Sequence, residues 1–386
     1  MKSKQPLSLY IHIPFCIQKC LYCDFLSASA SDDAKDAYIG ALLEELAFWK
    51  ERIKMQYYIR TIFIGGGTPT CLSPEQLFRL GDALQQFFTF NEEPPMEFTL
   101  EANPGTVTKP HIQIMKEIGV DRVSLGLQSA QNAELKRLGR IHTYEDFVES
   151  YGMLRESGFH NINIDLMADI PGQTIGSYQA TLGQVLALGP EHISSYNLIV
   201  EEGTPFYQMQ EEGKLLLPDE DTDREMYELT RRLLEEKGYK RYEISNYAKE
   251  GKQCLHNLTY WEMGEYLGIG LGASSYFDGC RFSNVRDMGC YLSRHGDKRE
   301  DDIHKLSKKE EMEEFAFLGL RKTEGISLPE YKKRFGVDLK EIYCGRLEPL
   351  MKKHLLAESG NHDRIYLTNL GIDVSNVVLA EFLLDD

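Results

Sequence analysis

The stretch FCIQKCLYCDF holds three cysteines within eight residues: Cys16, Cys20 and Cys23. A C-x3-C-x2-C spacing sets three thiolates on one loop, near enough together to take three corners of a cubane iron-sulfur cluster. The fourth iron is then without a protein ligand, and an open iron can chelate a small molecule. That turns an electron carrier into a reaction site. A structural zinc would instead need four ligands in a tetrahedron, the fourth drawn from His12 or a distant Cys, and no second closely spaced cysteine pair supplies it. The other five cysteines (Cys71, Cys254, Cys280, Cys290, Cys344) are scattered. Eight in 386 residues are too sparse for a disulfide scaffold and read as thiols of a reducing compartment.

A second group of residues falls at regular intervals after the cysteines. IGGGTPT carries Gly66, Gly67 and Thr68. It lacks the GK[ST] ending of a phosphate-binding loop, so it reads either as a tight strand-to-helix turn or as backbone left bare for a ligand's charged head. Glu101 in LEANPGT, Gln128 in GLQS, Arg140 in LGRIH and Asp165 in NIDLMADIPGQT follow. Carboxylates can accept from hydroxyls or an ammonium, and a guanidinium can pair with a carboxylate.

The elements that must position these groups alternate in type. Six apolar or β-branched runs read as strands: LYIHIPF, TIFIGGG, EFTLEAN, RVSLGLQS, NINIDLMADI and HISSYNLIV. Between them lie helical patterns. In the first, Tyr38, Leu42, Leu46, Trp49 and Ile53 share one face; the second opens with Ser73 as cap and Gln76 closing a capping box; another opens at Thr143 and stops at Gly158. Strand and helix alternating six times, with no GxGxxG turn after the first strand, predict an α/β fold, a partial (β/α)6 TIM-like barrel. The active face of such a fold is built from loops at the C-terminal ends of the strands, where the chemistry-bearing residues fall. We assign the barrel to residues 1–210, a barrel-closing extension to 211–300, and a small, mostly helical, winged-helix-like domain to 301–386.

Charge and hydropathy exclude some function classes. Sixty acidic against 43 basic side chains give a formal charge of -17, which argues against nucleic acid as a partner. The sequence contains neither an apolar run long enough to span a membrane nor a secretory leader, so a cytoplasmic protein is expected.

The cysteine spacing, with Tyr22 just ahead of the last cysteine, resembles the radical S-adenosylmethionine (SAM) superfamily, and the resemblance extends over residues 8 to 276. It implies a [4Fe-4S] cluster on Cys16, Cys20 and Cys23, with the amino and carboxylate groups of SAM on the open iron. It further implies Tyr22 beside the adenine and Gly66, Gly67 and Thr68 at the SAM amino group. Glu101, Gln128, Arg140 and Asp165, in this order on successive strands, match the branch that contains oxygen-independent coproporphyrinogen III oxidase, and Tyr10 matches that branch's nucleotide site.

Within the branch, the oxidase carries a long segment ahead of its cluster and a further Cys two residues after the third. Here the cluster begins at Cys16 and that position is Phe25, which favours the HemW-type haem chaperones. The stretch CLHNLTYWEMGEYLGIG contains the H-N-x-x-Y-W motif that the resemblance associates with haem. It makes His256 the expected haem ligand, with Tyr260 and Trp261 beside the macrocycle; a histidine among aromatics is also an ordinary packing residue. The implied function is binding of haem and its delivery to an acceptor protein, membrane-associated acceptors included. The alternative is radical oxidative decarboxylation of coproporphyrinogen III.

Overall fold

The computed structural model describes residues 4–87 and 97–384. Among these residues twelve strands form one sheet. Six run parallel and in chain order: β1 (Gln5–Ile13), β2 (Tyr57–Gly66), β3 (Glu97–Ala102), β4 (Arg122–Gln128), β5 (Ile162–Ala168) and β6 (His192–Asn197). Parallel neighbours need a crossover, and helices supply it: α1 (Asp32–Ile53), α2 (Pro74–Phe87), α3 (Lys109–Glu117), the pair α4 (Asn132–Arg137) and α5 (Tyr144–Glu156), and α6 (Ile175–Leu188). The chain is an α/β protein built on six strand-helix repeats, as expected.

Local signals account for these elements. Tyr38, Leu42, Leu46, Trp49 and Ile53 of α1 are all buried. Ser73 and Gln76 exchange hydrogen bonds between side chain and backbone at 3.1 and 2.9 Å, and Thr143 and Asp146 form the same reciprocal box ahead of α5. The strand β4 is buried along its whole length, as a parallel strand covered on both faces must be.

The segment after β6 does more than cap one opening. It supplies α7 (Pro205–Glu211), α8 (Glu220–Glu236), β7 (Lys240–Arg241), β8 (Asn246–Ala248), α9 (Leu255–Trp261), β9 (Tyr266–Ile269), β10 (Ser274–Phe277), β11 (Cys280–Asn284), α10 (Met288–Ser293) and β12 (Glu300–Lys305). The strand β8 pairs antiparallel with β6, and β7 lies outside it. On the opposite edge β9 pairs parallel with β1, and β10, β11 and β12 continue outward antiparallel. One stretch of chain thus lengthens both edges of the sheet, and α9 crosses between them.

A second hydrophobic cluster gathers the C-terminal helices α11 (Lys308–Gly319), α12 (Leu328–Phe335), α13 (Leu339–Ile342) and α14 (Cys344–Lys352) around Tyr331, Phe335, Leu347 and Ile365. A small antiparallel sheet, β13 (Ile326–Ser327), β14 (Leu356–Glu358) and β15 (Arg364–Leu367), accompanies them. Only the last of these strands is visible in the sequence pattern, because runs of two and three residues show no alternation.

Candidate functional site

At the C-terminal ends of the strands lies a cavity of about 500 Å³. Cys16, Cys20, Tyr22 and Cys23 line it from the loop after β1, and Gly66, Gly67 and Thr68 from the turn after β2. Glu101, Gln128 and Asp165 enter from β3, β4 and β5, and Arg140 from the loop after α4. Of the residues expected to bind SAM or a cluster, only Tyr10 lies outside this lining.

The cysteine loop is held at several points. The Cys16 N–H donates to Ala28 O at 3.1 Å, the Leu21 N–H to Leu138 O at 3.0 Å, and the Cys23 N–H to Cys20 O at 3.3 Å. All three cysteines are free thiols of intermediate exposure. Cys16 Sγ lies 3.6 Å from Thr68 Oγ1, and Arg140 Nη1 points at Cys20 Sγ from 3.7 Å. Among the described residues no three His, Cys, Asp or Glu side chains converge as one metal ion would require. A cubane asks for something different, one thiolate for each of three separate irons, and three soft donors on one cavity wall meet that demand. The zinc alternative also loses its local ligand. His12 Nε2 is 2.9 Å from Leu26 O, and because a carbonyl only accepts, Nε2 carries the proton. Nδ1 then accepts from the Tyr10 hydroxyl at 3.0 Å, and neither nitrogen is free.

The glycines meet a demand of the protein itself. Gly66 has φ +108°, and a Cβ there would fall 2.3 Å from His12 Nδ1; a Cβ on Gly67 would fall 2.5 Å from Phe15 O. The Gly66 N–H donates to Glu101 Oε2 at 3.0 Å, joining the turn to the next strand.

Two half-buried carboxylates face the cavity. Burial raises the Glu101 carboxyl to about 8, and the nearby Asp165 adds to the rise. Asp165 is also raised by burial, against hydrogen bonds that stabilise its charged form: Ser124 Oγ donates to it at 3.1 Å and Asn163 Nδ2 at 2.7 Å.

Gln128 has φ +71° and sits at a break in register, where Gly126 pairs with Asp165 and Gln128 with Leu166. A bulge of this kind re-aims a side chain. Here the amide oxygen accepts from the Tyr196 hydroxyl at 2.8 Å. Tyr196 and Asn103 are cavity residues that the sequence reading missed. Asn103 Nδ2 donates to Thr68 Oγ1 at 2.6 Å while its Oδ1 accepts from Arg140 Nη2 at 2.6 Å. The signal that existed was its place two residues beyond Glu101, at the end of the same strand. Arg140 also donates to Gly126 O at 2.5 Å, and its buried Nε has no hydrogen-bond partner among the described residues.

His256 does not reach this cavity. It is 0% exposed on α9, with Nδ1 2.9 Å from Thr61 Oγ1 and Nε2 2.8 Å from the Tyr260 hydroxyl. Burial, with Arg122 nearby, lowers it to about 3, so the imidazole is neutral. The Glu97 carboxylate accepts from the N–H groups of Leu255 and His256 at 2.9 and 3.0 Å and fixes the start of the helix. Tyr10 lines a second cavity with Tyr260 and Trp261.

An open parallel sheet with three thiols, a glycine turn and polar strand ends on one cavity is the arrangement of a radical SAM protein. The radical SAM superfamily model matches residues 10–185, and the HemN C-terminal domain model matches residues 306–374. HemW haem chaperones are similar over the full length. That of Lactococcus lactis is 39% identical over 384 residues, 99% of each chain. The Bacillus subtilis protein is 39% identical over 97% of this chain and 99% of its own, and that of Haemophilus influenzae 35% identical over 100% of both. The chain belongs to the HemW family. A solved structure of the Escherichia coli coproporphyrinogen III oxidase HemN, a radical SAM enzyme, matches with a TM-score of 0.85 and 22% identity over 98% of this chain and 90% of that one, which speaks to the fold. Among the described residues no helix is long and apolar enough to cross a membrane.

Proposed function

We propose that this protein is a haem chaperone: it binds haem, carries a [4Fe-4S] cluster with SAM, and passes the haem to an acceptor protein. The observation that carries the reading is full-length similarity to proteins named haem chaperones, joined to a cavity with three thiols and an open side. Cys16, Cys20 and Cys23 hold the cluster. Thr68, Glu101, Gln128, Arg140 and Asp165 surround the place of SAM, whose bound form supplies one-electron chemistry. Arg140 suits the SAM carboxylate and Tyr22 the adenine.

The test is anaerobic reconstitution followed by haem titration and transfer of the bound haem to an apo-haemoprotein, read from its absorption spectrum. Binding and transfer are expected. Formation of protoporphyrinogen from coproporphyrinogen III under the same conditions would replace this reading with the oxidase; at position 25, where that enzyme's relatives carry a further cysteine, this chain has Phe25, 61% exposed at the cavity mouth.

A further inference from the structure

Behind Asp165 a row of buried polar side chains crosses the inner face of the sheet. Strand register sets it up: Ser124 on β4 pairs with Asn163 on β5, and Asn163 with His192 on β6. Asn163 and Asp165, two residues apart, point to the same face of β5. Beyond β6 the row is continued by Tyr242, in the turn between β7 and β8. Ser124 and Asp165 line the cavity that holds the cysteines, whereas Asn163, His192 and Tyr242 do not reach it and are buried. Buried polar groups are costly unless they are fully paired. Three of them in line behind one cavity carboxylate call for a role.

Each proton in the row can be placed. Asn163 Nδ2 donates to Asp165 Oδ1 at 2.7 Å and to Ser124 Oγ at 2.8 Å, and a reversed amide would set its oxygen against the carboxylate. Asn163 Oδ1 therefore faces His192 Nδ1 at 2.6 Å, and because an amide oxygen only accepts, Nδ1 carries the imidazole proton. Burial, with the Arg122 charge nearby, lowers His192 well below its ordinary range, so the ring is neutral and holds no second proton. Nε2 is then the acceptor of the Tyr242 hydroxyl at 2.9 Å. The Tyr242 oxygen accepts in turn from the Cys254 N–H at 3.2 Å, a donor fixed in the backbone. Ser124, which accepts from Asn163, spends its own proton on Asp165 Oδ2 at 3.1 Å. Both carboxylate oxygens are thus held from behind, and their remaining lone pairs are left for the hydroxyl or ammonium donors of a ligand.

We infer that Asn163 and His192 are positioning residues for SAM binding: His192 fixes which way the Asn163 amide faces, and Asn163 fixes the Asp165 carboxylate. The Tyr242 hydroxyl selects the imidazole tautomer on which the row depends. This inference rests on the reading of the cavity as the place of SAM.

Equilibrium binding of SAM to the anaerobically reconstituted full chain tests it, with iron, sulfide and the urea midpoint measured for every variant. Asn163→Ala and His192→Phe are each expected to weaken SAM binding about tenfold, the effect of losing one charge-assisted hydrogen bond, with iron and sulfide contents unchanged. His192→Gln, whose amide can donate to Asn163 and accept from Tyr242, is expected to restore most of the affinity. In an Asp165→Asn background His192→Phe should cost nothing further, because it acts through that carboxylate. Tyr242→Phe keeps the imidazole and should weaken binding in the same direction, which decides the matter even where His192→Phe does not fold. Unchanged affinity in Asn163→Ala and Tyr242→Phe, with wild type binding SAM, overturns the positioning role and leaves the SAM reading standing. An equal loss from His192→Phe with and without the Asp165 carboxylate also overturns it, since His192 would then serve the fold alone. Failure of the reconstituted wild type to bind SAM removes the reading beneath it.

Discussion

Arg140 donates from Nη2 to Asn103 Oδ1 at 2.6 Å while its Nη1 points at Cys20 Sγ from 3.7 Å. One guanidinium therefore ties the cysteine loop to the end of β3, and Asn103 passes the tie to Thr68. Removing the amide leaves Nη2 of Arg140 held by Gly126 O alone and cuts its link to Thr68. Asn103→Ala is expected to weaken SAM binding about tenfold, the worth of one lost charge-assisted hydrogen bond, with the cluster retained. Equilibrium binding of SAM to the anaerobically reconstituted variant measures this, and unchanged affinity would show that Asn103 positions nothing.

A fourth thiol stands in the same cavity. Cys71 lines it beside Cys16, but it stands on the turn after β2, outside the C-x3-C-x2-C loop that presents the other three. Cys16→Ser, Cys20→Ser and Cys23→Ser are each expected to lose most cluster iron and sulfide after reconstitution, whereas Cys71→Ser should keep about four of each per chain. Iron and sulfide analysis of the four variants decides it. Equal loss in Cys71→Ser would place that thiol among the ligands.

The Glu101 carboxyl lies near 8 in the folded chain against an ordinary value of 4.5. The folded protein therefore holds a proton that the unfolded chain releases between those values, and stability falls as pH rises through that window. The decline begins near pH 4.5 and is complete above about 8. Glu101→Gln cannot titrate, so the cofactor-free variant should gain on the wild type by a few kcal/mol between pH 5 and pH 8.5. Urea unfolding at a series of pH values gives the difference, and parallel curves would mean that Glu101 is ionised in the fold.

Why the site was legible, and why parts of it were not, follows from the kind of signal each residue leaves. Cys16, Cys20 and Cys23 are close in sequence because one loop must present all three, so spacing alone exposes them. Glu101, Gln128 and Asp165 stand at the ends of apolar runs, where a polar residue is conspicuous. Asn103 and Tyr196 act through partners 35 and 68 residues away, and register across a sheet leaves no local trace. Glu45 is the same case within the core. It sits in the apolar face of α1, fully buried, and accepts from Asn284 and Tyr291 at 2.6 Å each and from the Gly270 N–H at 3.0 Å. Helical periodicity marks it as misplaced; only the fold supplies the donors that permit a carboxylate there. The strands β7 and β8 escaped because two or three residues carry no pattern, and the role of β9 escaped because pairing with β1 across more than 250 residues is settled by packing.

Gly66 and Gly105 separate two reasons for a glycine. Both have positive φ, +108° and +77°, and an alanine at either position pays the conformational penalty of about 1 kcal/mol. At Gly105 a Cβ meets nothing within 4 Å. At Gly66 it would fall 2.3 Å from His12 Nδ1, and the ring cannot retreat without giving up its bonds to Tyr10 and Leu26 O. Gly66→Ala is therefore expected to destabilise the cofactor-free chain by about 3 kcal/mol or more, against about 1 for Gly105→Ala. Urea midpoints of the two variants measure the contrast. Equal midpoints would mean that the His12 ring yields freely, and with it the wall shared by Tyr10 and the glycine turn.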